Sequence, residues 1–152
     1  MVKSFQGVRE AEPRRQAQPI SVSDHMTTGL ITFRPDDTID KVLVTLASKK
    51  ISGAPVLDEN GKLVGIISEV DCLSVVIKGQ YTNTPKASAL VEEKMTRNVM
   101  TLSPDITIFD AAQLFMEHKI RRFPVVKDGK LLGQISLSDI IRVFTKLKTT
   151  TW

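Results

Sequence analysis

Two seven-residue stretches, GIISEVD at residues 65–71 and GQISLSD at residues 133–139, follow the same pattern. Each begins with a glycine, continues through a short, mainly apolar run to a serine, and ends with an aspartate three residues after that serine. A serine followed at this spacing by an acid is typical of a helix N-terminus, so each stretch predicts a strand that passes directly into a helix. Finding this junction twice in 152 residues indicates an internal duplication.

The duplication extends well beyond these two junctions. An offset of 69 residues aligns the two halves up to a predicted hairpin turn, after which the offset becomes 68. The change falls where DENG at residues 58–61 faces KDG at residues 127–129, and hairpin turns tolerate such a difference in length. The aligned pairs include Met26 with Met95, Pro35 with Pro104, Thr38 with Thr107, Pro55 with Pro124, Gly65 with Gly133, Ser68 with Ser136 and Asp71 with Asp139.

Each half predicts a strand, a helix, two strands joined by a hairpin and a second helix. The first strand is an extended segment, residues 30–33 or 99–102, and Thr38 and Thr107 are the expected N-caps of the first helices. Gly79 is the expected end of the second helix of the first half. The apolar residues expected to face the core from the helices are Ile39, Val42, Leu43, Leu46, Leu73 and Val76 in the first half, and Ile108, Ala111, Ala112, Phe115, Ile141 and Phe144 in the second.

We therefore expect an α+β fold in which two β-α-β-β-α repeats pack sheet to sheet about a pseudo-two-fold axis. One repeat of about 55 residues would leave too much apolar surface in water to be stable alone. The expected limits are a flexible arm at residues 1–19, a first repeat at 20–78, a linker at 79–90, a second repeat at 91–147 and a tail at 148–152.

The overall composition narrows the classes of protein to consider. Apolar residues make up 41% and charged residues 25%, as in ordinary globular proteins, and no apolar run is long enough to span a membrane. The net charge is +4, but the cations are scattered and do not alternate with aromatic residues, so nucleic acid is not the expected partner. The N-terminus lacks the apolar region of a secretory signal, and a lone Cys72 fits a reducing compartment, so we expect a cytoplasmic protein.

The two repeats resemble CBS domains, which are named after cystathionine β-synthase. The resemblance is carried by KKISGAPVLDENGKLVGIISEVD at residues 49–71 and HKIRRFPVVKDGKLLGQISLSD at residues 118–139, and it covers roughly residues 21–146. It implies a CBS pair, or Bateman module, that self-associates through its helices into a disk-like homodimer. It also implies a regulatory ligand from the adenosine compounds, usually AMP, ADP or ATP and less often S-adenosylmethionine, together with a protein target that the sequence does not identify.

The Ser-x-x-Asp junctions have two interpretations. Ser68 with Asp71, and Ser136 with Asp139, have the spacing of a capping box that only stabilises the helix start. The same carboxylate on the first helical turn can also accept hydrogen bonds from both hydroxyls of a ribose, and the helix N-terminus favours a phosphate nearby. The resemblance favours the ribose interpretation, with the capping role alongside it.

The resemblance also implies positions for the base and the phosphate. Gly53 and Ala54 are small enough to leave room for a flat ring, whereas Phe123 stands at the position of Ala54 and counts against the Asp139 site. The basic run HKIRR at residues 118–122 is either a solvated helix end or, as the resemblance implies for Arg121 and Arg122, a phosphate grip. The remaining ligand-contact residues that the resemblance implies are Ile31, Thr32, Phe33, Ser52 and Pro55 in the first repeat, and Met100, Thr101, Leu102 and Pro124 in the second.

No catalytic or metal-binding pattern is found in the sequence. It contains no P-loop, no HExxH and no G-x-S-x-G, and its two histidines, His25 and His118, keep no metal-ligand spacing with cysteines or paired acids. We therefore expect no enzyme, no cofactor and no metal. Two functions remain: a sensor that binds an adenosine nucleotide between the repeats, and a structural dimerisation module whose ligand sites are vestigial.

Overall fold

The computed structural model describes residues 20–82 and 89–151. The predicted arm at residues 1–19, residues 83–88 of the predicted linker and the final residue of the predicted tail lie outside the described residues. A 3-10 turn at Val22–Asp24 lies at the start of the first repeat. The helices and strands that follow are α1 (Ile39–Lys49), β1 (Gly53–Leu57), β2 (Leu63–Ser68), α2 (Glu69–Thr82), α3 (Val91–Lys94), α4 (Ile108–His118), β3 (Arg122–Lys127), β4 (Lys130–Ser136) and α5 (Leu137–Thr151).

The mixed architecture and the internal repeat are confirmed, and the hairpins form two antiparallel sheets, β1 with β2 and β3 with β4. The predicted first strand of each repeat is reduced to one parallel bridge, from Phe33 to Val56 and from Leu102 to Val125. Pairing is short because Pro35 and Pro104 follow two residues later, and proline lacks the amide that would continue a ladder.

The N-caps and the core faces of the first helices are confirmed. The Thr38 hydroxyl accepts a hydrogen bond from the Lys41 amide at 3.2 Å, and the Thr107 hydroxyl accepts one from the Asp110 amide at 3.1 Å. Such caps satisfy amides that would otherwise lack a partner in the first turn. The buried residues of these helices are Ile39, Val42 and Leu46 in α1, and Ile108, Ala111 and Phe115 in α4.

The predicted core faces of the second helices are correct for Phe144, which packs against the core of the second repeat, and wrong for Leu73 and Ile141. In α2 the buried residues are Cys72 and Val75, whereas Leu73 is 55% exposed, and in α5 Ile141 is 58% exposed. Ile140 and Val143 are buried there instead, while Val76 and Phe144 are partly buried. In α2, apolar residues lie around much of the circumference, so periodicity alone does not select the face that packs. In α5 the apolar face is clear, and Ile141 lies at its edge, next to the buried Ile140.

Gly79 does not end α2, which continues to Thr82. A glycine inside a helix costs only about 1 kcal/mol relative to alanine, and the residue that cannot be accommodated, Pro85, comes later. The predicted linker therefore begins inside a helix.

Each repeat completes the core of the other. Val91 and Met95, at the start of the second repeat, belong to the core built around β1 and β2, and Val22, at the start of the first repeat, belongs to the core built around β3 and β4. Backbone hydrogen bonds fix this exchange: the amide of Val91 donates to the Asp37 carbonyl at 2.9 Å, and that of Val22 donates to the Ile106 carbonyl at 2.9 Å. The two repeats are therefore one structural unit.

Gly65 is the glycine that opens the first junction, and its place in the fold explains why that position has no side chain. A Cβ added there would lie 2.6 Å from the Met95 sulfur and 2.9 Å from the Thr96 carbonyl oxygen. At the matching position, a Cβ on Gly133 would lie 2.5 Å from the Thr27 carbonyl oxygen. The two glycines let the Met-Thr segment of one repeat lie against the sheet of the other.

Candidate ligand-binding groove

Strand alternation divides the predicted site residues between two faces of each sheet. In the first sheet Gly53 is paired with Ser68, and Pro55 with Ile66, and paired residues share a face. The opposite face is the core face, which carries Ala54, Val56 and Ile67. In the second sheet the corresponding outer face carries Arg122, Pro124, Gln134 and Ser136, and the core face carries Phe123, Val125 and Ile135.

An open groove of about 340 Å³ lies between the repeats. We call it the basic groove, because two exposed arginines stand on its wall. One side is Ile66 of β2 in the first repeat, and the other lining residues belong to the second repeat. It is lined by Ile66, Thr96, Asn98, Val99, Met100, Ile120, Arg121, Arg122 and Pro124.

Backbone hydrogen bonds between Ile66 and Thr96 join the two sides of the basic groove. The amide of Ile66 donates to the Thr96 carbonyl at 3.0 Å, and the Thr96 amide donates back to the Ile66 carbonyl at 2.9 Å. This antiparallel bridge brings the start of the second repeat onto β2 of the first. Residues 120–124 complete the wall, and the Arg121 carbonyl accepts from the Leu137 amide at 2.8 Å.

Ser68 and Asp71 stand at the end of β2, on the side of the sheet that carries Ile66. Ile66 and Ser68 are two residues apart in one strand, so their side chains share a face. The Asp71 Oδ2 accepts hydrogen bonds from the Ser68 amide at 2.9 Å and from the Ser68 hydroxyl at 3.0 Å. The capping interpretation is therefore correct for this junction, and among the described residues no hydrogen bond reaches the Asp71 Oδ1.

Ser136 and Asp139 form the same cap with one addition. The Asp139 Oδ2 accepts from the Ser136 amide at 2.8 Å, and the Asp139 Oδ1 forms an ion pair with Arg142 Nη1 at 3.0 Å. Burial by itself would raise the pKa of Asp139, but the hydrogen bonds from Ser136 and Arg142 outweigh it and hold that pKa below its ordinary value. The first repeat has Ser74 at the position of Arg142, and its hydroxyl donates to the Asp71 carbonyl at 2.7 Å.

Four of the residues expected to contact a ligand have buried side chains in the cores: Phe33, Ala54, Leu102 and Phe123 are between 2% and 4% exposed. Phe123 packs edge-on against Phe115, with ring centroids 4.8 Å apart, so it supports the core and does not obstruct the groove. Ala54 does not open space for a flat ring on the groove side of the sheet either. Ala54 faces the core, and a Cβ on Gly53 would lie 2.9 Å from the Ile67 carbonyl oxygen.

The basic groove combines segments from both repeats. From the sequence, each base slot is expected beside the aspartate of its own repeat. The basic groove instead joins Met100, Arg121, Arg122 and Pro124 of the second repeat to the strand that leads to Asp71 of the first. Periodicity within one repeat does not reveal this exchange. The groove residues that sequence reasoning missed are Ile66, Thr96, Asn98, Val99 and Ile120.

The remaining predicted contact residues lie outside the basic groove. Thr32 lines a second hollow of about 230 Å³, together with Gly29, Leu30, Leu57 and residues 131–133. Ile31 packs partly buried against the core of the first repeat, and Leu102 is buried in the core of the second. Neither hollow is lined by Thr101, which is exposed, or by Ser52 and Pro55.

Three further properties of the described part of the chain concern metal binding, cysteine reactivity and membrane crossing. Residues 20–82 and 89–151 contain no group of three or more His, Cys, Asp or Glu residues placed to hold a metal ion. Burial raises the pKa of the Cys72 thiol to about 11, with the Asp71 charge adding to the effect, so at neutral pH this thiol is protonated and is a poor nucleophile. Over the same residues, no helix combines the length and the hydropathy that a bilayer crossing requires.

Comparison with known proteins places these features in a family. The model of the CBS domain matches residues 22–78 and 90–146. The crystal structure of CBSX2 from Arabidopsis thaliana in complex with AMP is 33% identical, with a TM-score of 0.74, and the similarity covers 85% of this chain and 98% of that one. The CBS domain pair of protein MJ0100, solved with 5-methylthioadenosine and S-adenosyl-L-methionine, is 31% identical, with a TM-score of 0.68, over 85% of this chain and 98% of that one.

An enzyme is also among the relatives. Inosine-5'-monophosphate dehydrogenase of Aquifex aeolicus is 33% identical over 135 residues, which is 85% of this chain. The chain spans only 26% of the length of that enzyme, so the likeness concerns a part of it. The two family matches, the duplicated junctions and the solved CBS pairs agree: the chain belongs to the CBS domain family and carries two CBS domains in tandem.

Proposed function

We propose that this protein is a non-catalytic regulatory module that binds an adenosine nucleotide in the basic groove. The observation that carries the proposal is the juxtaposition of Arg121 and Arg122 with the β2 strand that ends at Ser68 and leads to Asp71. The AMP complex of CBSX2 and the adenosine ligands of MJ0100 support the ligand class. Within that class, AMP is the ligand that we propose, with ADP and ATP as longer variants.

The apolar residues of the basic groove suit the adenine ring. Its apolar lining includes Ile66, Val99, Ile120 and Pro124. A flat heteroaromatic ring gains by burial against such side chains, while groove polar groups such as the Asn98 amide can pair with the ring nitrogens. The groove is of the size that small-ligand sites usually have.

Asp71 is the group that we assign to the ribose. Its Oδ2 is engaged by Ser68, but a carboxylate oxygen can accept more than one hydrogen bond and its Oδ1 is open. Two vicinal hydroxyls can therefore donate to this carboxylate while the cap stays in place. Hydrogen bonds to a charged acceptor are stronger than those between neutral groups, so the sugar contributes substantially to affinity.

Arg121 and Arg122 are the groups that we assign to the phosphate. Both side chains are exposed on the wall of the groove, and no ion pair occupies either of them among the described residues. A guanidinium presents several donors in a fixed plane that matches phosphate oxygens. A nucleotide held between Asp71 of one repeat and Arg121 of the other would bridge the two repeats. Regulation follows if the ligand binds one arrangement of the repeats better than another.

A homodimer is the assembly that we propose. Val70, Leu73 and Ile77 of α2 are 74%, 55% and 50% exposed and recur at helical spacing, so they form a stripe, which we call the α2 stripe. The helices of the second repeat expose a comparable set in Phe109, Met116 and Ile141. Matched apolar faces on one chain suit a closed assembly with a second copy. The reducing compartment indicated by the lone buried Cys72 makes the cytoplasm the location that we propose.

A thermal-shift titration of the full chain with AMP, ADP, ATP and S-adenosylmethionine tests the binding proposal. A ligand that binds only the folded state raises the melting temperature as its concentration exceeds Kd. Asp71→Asn keeps an oxygen for the helix cap but removes the charge, so it should weaken the shift without unfolding the protein. The alternative is a structural dimerisation module, which the capping role of both aspartates favours. It gains if no adenosine compound produces a shift.

A further inference from the structure

The pseudo-symmetry of the fold defines a counterpart to the basic groove. Thr27 and Gln134 exchange backbone hydrogen bonds at 2.8 and 2.9 Å, as Thr96 and Ile66 do. The Glu69 amide donates to the Ser52 carbonyl at 2.9 Å, which matches the bond from Leu137 to Arg121. The same backbone framework is therefore built twice, and the counterpart groove would be completed by Asp139.

The counterpart groove lacks the cations of the basic groove. Ser52 and Gly53 stand where the basic groove has Arg121 and Arg122. Ser52 offers a hydroxyl but no charge, and Gly53 offers no side chain. A phosphate placed there would be desolvated with little compensation, which disfavours an anionic ligand.

The aspartates of the two Ser-x-x-Asp junctions also differ in the hydrogen bonds that their Oδ1 atoms receive. Asp71 keeps its Oδ1 without a hydrogen bond among the described residues, whereas the Asp139 Oδ1 is held by Arg142 at 3.0 Å. A ribose at Asp139 would have to share or displace that guanidinium. The Asp139 side chain is 16% exposed and that of Arg142 is 62% exposed, so water screens this ion pair in part from the arginine side.

From these differences we infer that the two grooves are not equivalent. The chain binds one phosphate-bearing adenosine ligand, in the basic groove with Asp71. Such a ligand is excluded from the counterpart groove because Arg142 occupies Asp139 and because Ser52 and Gly53 carry no positive charge. The inference rests on the proposed function and adds stoichiometry and selectivity to it. Arg142 is a specificity-determining residue in this scheme, because it acts on the ligand through Asp139.

Isothermal titration of the full chain with AMP tests the inference. One site per chain is expected. Asp71→Asn should weaken AMP binding by about tenfold or more, and Asp139→Asn should change it by less than about twofold, since a charge-assisted pair of hydrogen bonds is at stake only at Asp71. Should Asp71→Asn fail to fold, Arg121→Ser probes the same groove through an exposed side chain.

A reciprocal exchange of residues between the repeats tests whether a second AMP site can be created. Arg142→Ser gives the second repeat the residue that the first has at position 74, and Ser52→Arg gives the first repeat the residue that the second has at position 121. The chain with both changes should bind a second AMP, and an unchanged stoichiometry would overturn the assignment of these two residues. The asymmetry would be overturned by two equivalent AMP sites in the original chain, or by a larger loss of AMP affinity from Asp139→Asn than from Asp71→Asn. Either result would leave the proposed function standing. If the original chain binds no AMP, ADP or ATP, the proposed function and the inference both fail.

Discussion

Gly65 and Met95 are in direct contact across the boundary between the repeats: a Cβ on Gly65 would lie 2.6 Å from the Met95 sulfur. Gly133 has an even closer neighbour in the Thr27 carbonyl oxygen, at 2.5 Å from its added Cβ. A methionine side chain can move aside, whereas a backbone carbonyl engaged in a bridge cannot. We expect both Gly→Ala changes to lower the free energy of unfolding, Gly65→Ala by about 1–3 kcal/mol and Gly133→Ala by more. Chemical denaturation of the two variants measures the difference, and two unaffected midpoints would contradict the proposed close approach.

The caps of α1 and α4 give a second prediction about stability. Thr38→Ala and Thr107→Ala should each cost about 1 kcal/mol, because each removes the oxygen that satisfies an amide in the first helical turn. Thr45→Ala is the matched control. Its hydroxyl donates to the Lys41 carbonyl inside α1, where alanine has the better helix propensity, so no loss is expected. Thermal melts followed by circular dichroism compare the three, and a control as damaging as the cap variants would refute the explanation.

These examples show where sequence reasoning succeeds and where it stops. Thr38 and Thr107 were predicted as caps because a cap depends on residues only three positions apart, and the helix stripe after each is equally local. The buried face of α2 was predicted one position off, because Leu73 and Cys72 are both apolar and the choice depends on what the helix packs against.

The basic groove shows more clearly that contacts between distant segments are hard to predict from the sequence. Arg121, Arg122 and Pro124 were found from the motif that contains them, and they do line the basic groove. Ile66 and Thr96 were missed because they meet only after the first residues of one repeat cross onto the sheet of the other. The duplicated Met-Thr pair was the one signal of this crossing, but identity at a fixed offset does not say which repeat a segment joins.

Acid sensitivity provides a third prediction. The pKa of Asp139 is lowered in the folded state, so this carboxylate stabilises the protein above its unfolded pKa, which is about 4. The contribution should disappear as the pH falls through the lowered folded value. Denaturant melts between neutral pH and pH 3 should therefore show a smaller loss of stability for Asp139→Asn than for the original chain. Arg142→Ser, which removes one of the two hydrogen-bond partners, should lie between them, and identical pH profiles for all three would contradict the assignment.

The phosphate assignment gives a fourth prediction. Arg121→Ser should weaken AMP binding by about tenfold and leave adenosine binding nearly unchanged, because in the proposed complex the guanidinium contacts only the phosphate. The difference between the two ligands should shrink at high salt, since screening weakens the remaining electrostatic attraction. Lys127→Ser is the control: it removes the same charge from an exposed position at the end of β3, outside the lining of the basic groove. A comparable loss of AMP binding in the control would mean that net charge, and not the groove, attracts the nucleotide.

The α2 stripe provides the last prediction. If the stripe is the surface on which a second copy packs, Leu73→Asp should convert the dimer to a monomer, because a charge would have to be buried without a partner in the interface. Leu73 is 55% exposed within one chain, so the change should leave the monomer folded, and circular dichroism can confirm this. Asn60→Asp introduces the same charge in an exposed hairpin turn and should leave the dimer intact. Sedimentation equilibrium measures the masses, and a Leu73→Asp variant that remains a dimer would exclude the α2 stripe as the interface.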